Sequence, residues 1–251
     1  MQTDVTVGSI FDWLNGWAPF SGAEEWDNTG LLVGSMDTPV KRVMVSLDVT
    51  PEVIGQAAEY GAELMISHHP LIFRPISRLQ GGEPPYLLAR YGISAIAAHT
   101  NLDKANGGIN DILAARLGLN DISAAEDGLC RVGWLANELG PHDFAGFVGS
   151  QLGVPDGGIK WCNGGLPVRT VAVCGGSGGD FLPSLPPNAD AFVTGELRYH
   201  DWPANPARTI VAAGHFYTEI IVVKSLAERL AGAFPEIQVI AAKEQCPYRI
   251  I

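Results

Sequence analysis

Three hydrophobic stretches of this chain end in histidine. "AELMISHHP" delivers His68 and His69; "ISAIAAHTNLD" delivers His99 and, four residues on, Asp103; "TIVAAGHFYTE" delivers His215 and, again four residues on, Glu219. Each run is short, apolar and rich in small or β-branched residues, which predicts a buried strand. Ligands of open parallel sheets gather outside the carboxyl ends of the strands, so four of the six histidines are expected at equivalent edges of one sheet. A single histidine after a strand is usually a bonded polar cap. Three clusters together, two with a carboxylate at a spacing of four, read as metal ligands. Adjacent His68 and His69 would point to opposite faces of a continuing strand. Both reach one centre only if the strand has ended, a turn that Pro70 favours.

Imidazole with carboxylate suits zinc, iron or manganese, and the scattered cysteines disfavour a thiolate zinc site. His68, His69, Asp103, His215 and Glu219 are more ligands than one zinc needs, and two divalent ions bridged by a carboxylate fit them better. Such a pair lowers the pKa of a shared water and clamps the attacked and departing oxygens. Glu219 has a second reading, as a partner for the dipole of the following helix. His99 reads as a residue that orients a ligand or transfers a proton, or as a buried histidine bonded to backbone. Glu196 and His200 in "VTGELRYH" could hold water or substrate, with Glu196 beside His99 as a candidate acid/base, or could be exposed loop. Asp27 and Asn28 in "EEWDNTGLL" either line the cavity or make a turn. "CGGSGGD" has the glycines of a phosphate loop without its spacing or its Lys-Ser/Thr end, and tight strand-to-helix packing explains it equally. Arg74, Lys104 and Arg198 are the basic residues nearest the histidines in sequence. The aromatics of "FDWLNGWAPF" fit a helix packed through Phe11, Leu14 and Trp17 better than a base-stacking platform.

The elements that must position these groups alternate between strand and helix, which predicts an α/β fold with a mostly parallel sheet flanked by helices. "RVMVSLD" is a strand, and "TPEVIGQAAEYG" a helix capped by Thr50 with Pro51 at its first position. "NGGINDILAARLGL" is amphipathic through Ile109, Ile112, Leu113, Leu117 and Leu119. The second half rhymes with the first: Val43 to Leu64 and Val171 to Phe192 both span 21 residues, as pseudo-repeated halves would. Between them, "CRVGWLAN", "DFAGFVGSQLG" and "IKWCN" read as strand, helix and strand of a small inserted α+β subdomain. The expected division is 1–122 with 168–251 as the metal-binding α/β domain and 123–167 as the insert.

At 251 residues and 47% hydrophobic, the chain can bury a large core. No apolar run approaches the ~18 residues of a membrane span, and the first residues lack the pattern of a secretory leader. Cys130, Cys162, Cys174 and Cys246 form no paired motif and read as thiols of a reducing, cytoplasmic setting. A net charge of −11 argues against a nucleic-acid surface.

"ISHHPLIF", "AAHTNLD", "VTGE" followed by "YH", "AAGHFYTE" and, near the start, "WDNTGLLVG" together resemble the family of GTP cyclohydrolase 1 type 2 homologues, also called the Ngg-interacting-factor-three-like family. The resemblance covers nearly the whole chain. It implies an α/β fold with an inserted subdomain, a toroidal homohexamer, and a dinuclear metal site facing the central cavity. The implied ligands fall on His68, His69, Asp103, His215 and Glu219, with Glu219 bridging. The implied function is metal-dependent hydrolysis, in which activated water attacks a nucleotide-like or phosphoester substrate, C8 of a guanine nucleotide being the centre that the family name suggests. Two other classes stay open: a metal-handling or chaperone protein, and a ring-shaped interaction scaffold without turnover.

Overall fold

A computed structural model describes residues 4–126, 128–204 and 206–250. Its strands are β1 (Gly30–Val33), β2 (Arg42–Ser46), β3 (Leu64–Ser67), β4 (Ser94–Ala97), β5 (Asn120–Ala124), β6 (Arg131–Leu139), β7 (Lys160–Cys162), β8 (Val168–Cys174), β9 (Ala191–Thr194), β10 (Thr209–Ala212) and β11 (Gln238–Ala241). They form two sheets, where the sequence predicted one. The chain divides into two compact units, 1–106 with 222–245 and 107–221 with 246–251.

The first unit holds the sheet β1-β4-β3-β2-β11. β11, β2, β3 and β4 run parallel, and β1 closes the edge antiparallel to β4. β3 and β4 are buried at every position, as strands covered on both faces must be. The helix Pro51–Tyr60 crosses between β2 and β3. Thr50 Oγ1 accepts the Val53 N–H, Pro51 opens the helix, and Gly61 ends it at φ 74°, so its boundaries were written in the sequence. Met44, Ile54, Met65, Leu88 and Ala95 pack together on one side of the sheet. The helix Val7–Trp17 buries Val7, Ile10 and Leu14. Its aromatics are packed as well: Phe11 stacks on Phe20 with centroids 4.5 Å apart, and Arg229 lies 4.2 Å over Trp17.

The second unit holds the sheet β5-β6-β8-β9-β10-β7, parallel through β8, β9 and β10 and antiparallel elsewhere. The period of two along its strands separates two cores. Val171, Val173, Val193 and Val211 face Leu113, Phe144 and Val148. Ala172, Cys174, Phe192 and Ile210 face Cys130, Leu185 and Ala189. Arg131 is buried at the start of β6, where its Nε donates to Asp111 Oδ1 at 2.8 Å and its Nη1 to the carbonyls of Gly128 and Leu129.

Two expectations change here. Residues 123–167 do not stand apart as an insert, because β6 pairs with β8 from Arg131↔Val173 to Leu139↔Val168 and β7 pairs with β10. The two strands and the helix read from that segment form, but the sheet absorbs the strands. The spacing that suggested duplicated halves also differs in pairing: Val43 lies opposite Leu64, whereas Val171 lies opposite Ala191. Among the described residues, no helix is long and apolar enough to cross a membrane. The four cysteines are thiols.

Candidate metal-binding groups

In a regular strand, consecutive N–H groups point to opposite neighbours. At the end of β3 they do not: His68 N–H donates to the Ser46 carbonyl at 3.1 Å and His69 N–H to the Leu47 carbonyl at 2.9 Å. The chain has left the pleat there, and Ser67 Oγ, bonded to the His69 carbonyl at 2.9 Å, fixes the turn. The two imidazoles therefore lie side by side with centroids 4.9 Å apart. His99 follows β4 and precedes the helix Thr100–Lys104, and its ring centroid lies 4.9 Å from His68 and 5.6 Å from His69. Ligand atoms of His68, His69 and His99 all fall within 4.8 Å of one another, a group that could hold a metal ion. His99 thus joins the imidazole cluster, beyond the orienting or acid/base part expected of it. Asp103, in the first turn of the same helix, places Oδ1 3.9 Å from His68 Nε2.

Each of these rings is held through Nδ1. His68 Nδ1 meets the Ala98 carbonyl at 2.9 Å, His69 Nδ1 meets Asp48 Oδ1 at 2.8 Å, and His99 Nδ1 meets Asp27 Oδ1 at 2.9 Å. An oxygen acceptor at Nδ1 requires the proton there and leaves the ring's lone pair on Nε2, the tautomer that histidine ligands of metals take. Asp27 closes a turn, its N–H donating to the Glu24 carbonyl at 3.0 Å, and its side chain also works on the cluster. Its side chain is shielded from solvent, and its second oxygen accepts the Thr100 N–H at 3.1 Å and the Thr100 hydroxyl. Burial pushes its pKa up, but the hydrogen bonds from His99 and Thr100 outweigh burial and hold it well below the usual carboxylate range. Asn28 Nδ2 donates to the Ile72 carbonyl at 2.5 Å, tying the segment after the histidines to this one.

Behind His69 stands a second layer. Glu244, three residues past β11, accepts the Leu47 N–H at 2.7 Å and the Asp48 N–H at 2.9 Å with its two oxygens. It clamps the turn from which Asp48 reaches His69. Burial raises the Glu244 pKa against the pull of these two N–H groups. Neither Asp48 nor Glu244 was singled out from sequence. Both lie within a few residues of the carboxyl ends of parallel strands, so the rule that found the histidines would have found them had acids been followed too.

The second unit carries its own pair. His215 opens and Glu219 closes the short helix His215–Glu219, and the spacing of four brings His215 Nε2 within 3.0 Å of the buried Glu219 Oε2. His215 Nδ1 meets Glu196 Oε1 at 2.9 Å, and the Ser177 hydroxyl donates to the same oxygen at 2.9 Å. These bonds, His215 first, lower the Glu196 pKa in spite of partial burial, so Glu196 is an ionised acceptor that orients His215. With the lone pair on Nε2, nitrogen and carboxylate oxygen face each other as two acceptors, an arrangement that a cation between them satisfies. His200 is exposed against Tyr199.

The glycine loop after β8 has three of its N–H groups taken up within the protein: Gly175 by Asn110 Oδ1 at 2.7 Å, Gly176 by Thr218 Oγ1 at 3.1 Å and Gly178 by Thr194 Oγ1 at 3.0 Å. At Gly176, φ is +60°, and a Cβ would fall well inside contact distance of Glu219 Oε1. The glycine is there so that the backbone can lie against the carboxylate. Of the expected phosphate partners, Lys104 pairs with Glu24 at 2.7 Å, and Arg198 lies between Asp180 and Asp201.

Residues 5–247 match the model of the family described as Duf34/NIF3 (NGG1p interacting factor 3). A Clostridium perfringens protein named GTP cyclohydrolase 1 type 2 homolog is 32% identical over 95% of this chain and 96% of its own length. One of the same name from Streptomyces coelicolor is 34% identical over 85% of this chain and 81% of its own. The crystal structure of a Staphylococcus aureus hypothetical protein superposes with a TM-score of 0.90 at 27% identity, covering 99% of this chain and 100% of that one.

Proposed function

We propose a metal-dependent function of hydrolase type for this chain, which belongs to the Duf34/NIF3 family. In this reading His68, His69, Asp103, His215 and Glu219 hold two divalent ions, zinc, iron or manganese. His99 stands among the imidazoles as a further ligand or a proton carrier. Bound ions of this kind supply water activation near neutral pH and polarise the oxygens of a substrate. The observation that carries the reading is the shared arrangement of the imidazoles. His68, His69, His99 and His215 each have Nδ1 against a protein oxygen, which sets Nε2 as the donor to a cation.

The chain's own residues have distinct parts. Asp48, Asp27 and Glu196 orient imidazoles, Glu244 holds Asp48 in place, and Gly176 lets the backbone support Glu219. The substrate class is a nucleotide-like molecule or a phosphoester. The toroidal homohexamer that the resemblance implies belongs to the same reading, and the mass of the particle in solution tests it. Metal content by atomic emission and turnover on GTP and a panel of phosphoesters test the rest, compared among the wild type, His68→Ala and Glu219→Ala. Both variants should lose metal and turnover together. Unchanged metal content in both would end the proposal, and tightly held metal without any turnover would leave a metal-handling or scaffolding protein.

A further inference from the structure

Two large aromatic side chains stand in solvent beside the imidazole cluster: Trp26 is 59% and Phe73 48% exposed. Their ring centroids are 5.8 Å apart, and the Trp26 ring lies 6.2 Å from that of His99. Neither hangs on a loose tether. Trp26 immediately precedes Asp27, which is fixed by His99 and Thr100, and Phe73 immediately follows Ile72, whose carbonyl takes the Asn28 amide. One short network thus holds the indole and the phenyl ring next to the imidazoles. Exposed rings held this way are a stacking surface, since every flat heterocycle offers a π-face and stacking needs no match of hydrogen bonds.

Charge says which part of a substrate such a surface would recognise. The chain carries a net −11, three N–H groups of the glycine loop are bonded within the protein, and Lys104 and Arg198 are paired with carboxylates. Arg74, next to Phe73, is exposed and offers a phosphate one solvated charge, whereas the two rings offer a heterocycle a face.

We propose that Trp26 and Phe73 form the substrate's ring-binding surface, taking a planar heteroaromatic group beside His99 and recognising it by its ring, with phosphate contributing little. The inference rests on the metal-dependent reading above, because the ring is placed for chemistry at the imidazole cluster.

Calorimetric titration of the zinc-loaded full-length protein with guanosine, adenosine, GTP and ribose 5-phosphate tests it. A nucleoside should bind within about threefold of GTP, and ribose 5-phosphate at least tenfold more weakly. Loss of one stacking partner corresponds to about tenfold or more in affinity, so Trp26→Ala should weaken the nucleosides by that factor, with Phe73→Ala weaker in effect and Trp26→Phe within a few fold of wild type. Equal binding of ribose 5-phosphate, no binding of any nucleoside, or full affinity in Trp26→Ala each overturns the proposal. A Trp26→Ala protein with altered particle mass and unaltered nucleoside affinity would assign the surface to contact between copies instead. Metal content measured on the same samples separates the two ideas: metal held without ring binding sinks this inference alone, and ring binding without metal sinks the metal reading.

Discussion

Asp27 and His99, 72 residues apart in the chain, meet at 2.9 Å through Oδ1 and Nδ1, while the other Asp27 oxygen gathers the N–H and hydroxyl of Thr100. One carboxylate therefore sets the ring of a cluster histidine and the start of the helix that carries Asp103. Its pKa is lowered on folding, so its contribution is complete above the ordinary value of 3.8 and fades as the pH falls below it. Urea unfolding of chelator-treated protein should show a falling acid limb in that window. Asp27→Asn should be less stable at pH 7 by about 1.5–3 kcal/mol and should flatten the limb. An acid limb that is the same in both proteins would show that Asp27 does not carry it.

The Glu244 clamp reaches His69 through Asp48 and through Leu47, whose carbonyl takes the His69 N–H. Loss of a group that orients a metal-bound histidine typically weakens the metal about 10–100-fold. Asp48→Asn and Glu244→Ala should both fall in that range for zinc, and Glu244→Gln, which keeps one good acceptor, should lie between Glu244→Ala and wild type. If zinc affinity is indifferent to Glu244, the clamp serves the sheet edge alone.

At Gly176 the added methyl of alanine meets both a left-handed backbone and the Glu219 carboxylate. Gly176→Ala should destabilise the protein by about 1–3 kcal/mol and lose metal with Glu219 displaced. Gly146, where a Cβ meets nothing within 4 Å, lies inside a helix, so Gly146→Ala should keep the metal and match or exceed wild-type stability. Thermal melts and metal content of the two variants make the comparison.

Arg131 gives a purely structural control. It is fully buried and bonded to a partly exposed Asp111, so breaking the pair from one side costs at most the low end of about 3–5 kcal/mol. Arg131→Met should lower stability by up to that amount, and Arg131→Met combined with Asp111→Leu should recover part of it. A milder effect in the single variant than in the double would contradict the buried-pair account.

The histidines and the acids four residues beyond them were legible because strand ends are written locally, in apolar runs that stop at a glycine or a polar residue. The helix after Thr50 was legible for the same reason. What holds those histidines was not: Asp48 lies 21 residues before His69, and Glu244 lies 196 after Asp48, distances that only the order of strands can close. That order was also what misled the reading of 123–167. Strand and helix signals there are sound, but nothing local says that β6 will lie against β8. Asp27 reads from sequence as either a cavity residue or part of an Asp-Asn turn; the turn forms, and its bond to His99 has no signature in sequence.

The pairing of β11 with β2 has a consequence for synthesis. A nascent chain can lay β2, β3 and β4 side by side early, yet the neighbour that completes that sheet is made only after residues 107–221 of the second unit have been translated. Until Glu244 leaves the ribosome, the turn bearing Asp48 lacks its clamp and His69 waits for a settled orientation. The first cluster is therefore encoded early and matures late, so that termination after Asp103 and before Glu244 leaves its histidines without a finished grip on the one nearest solvent.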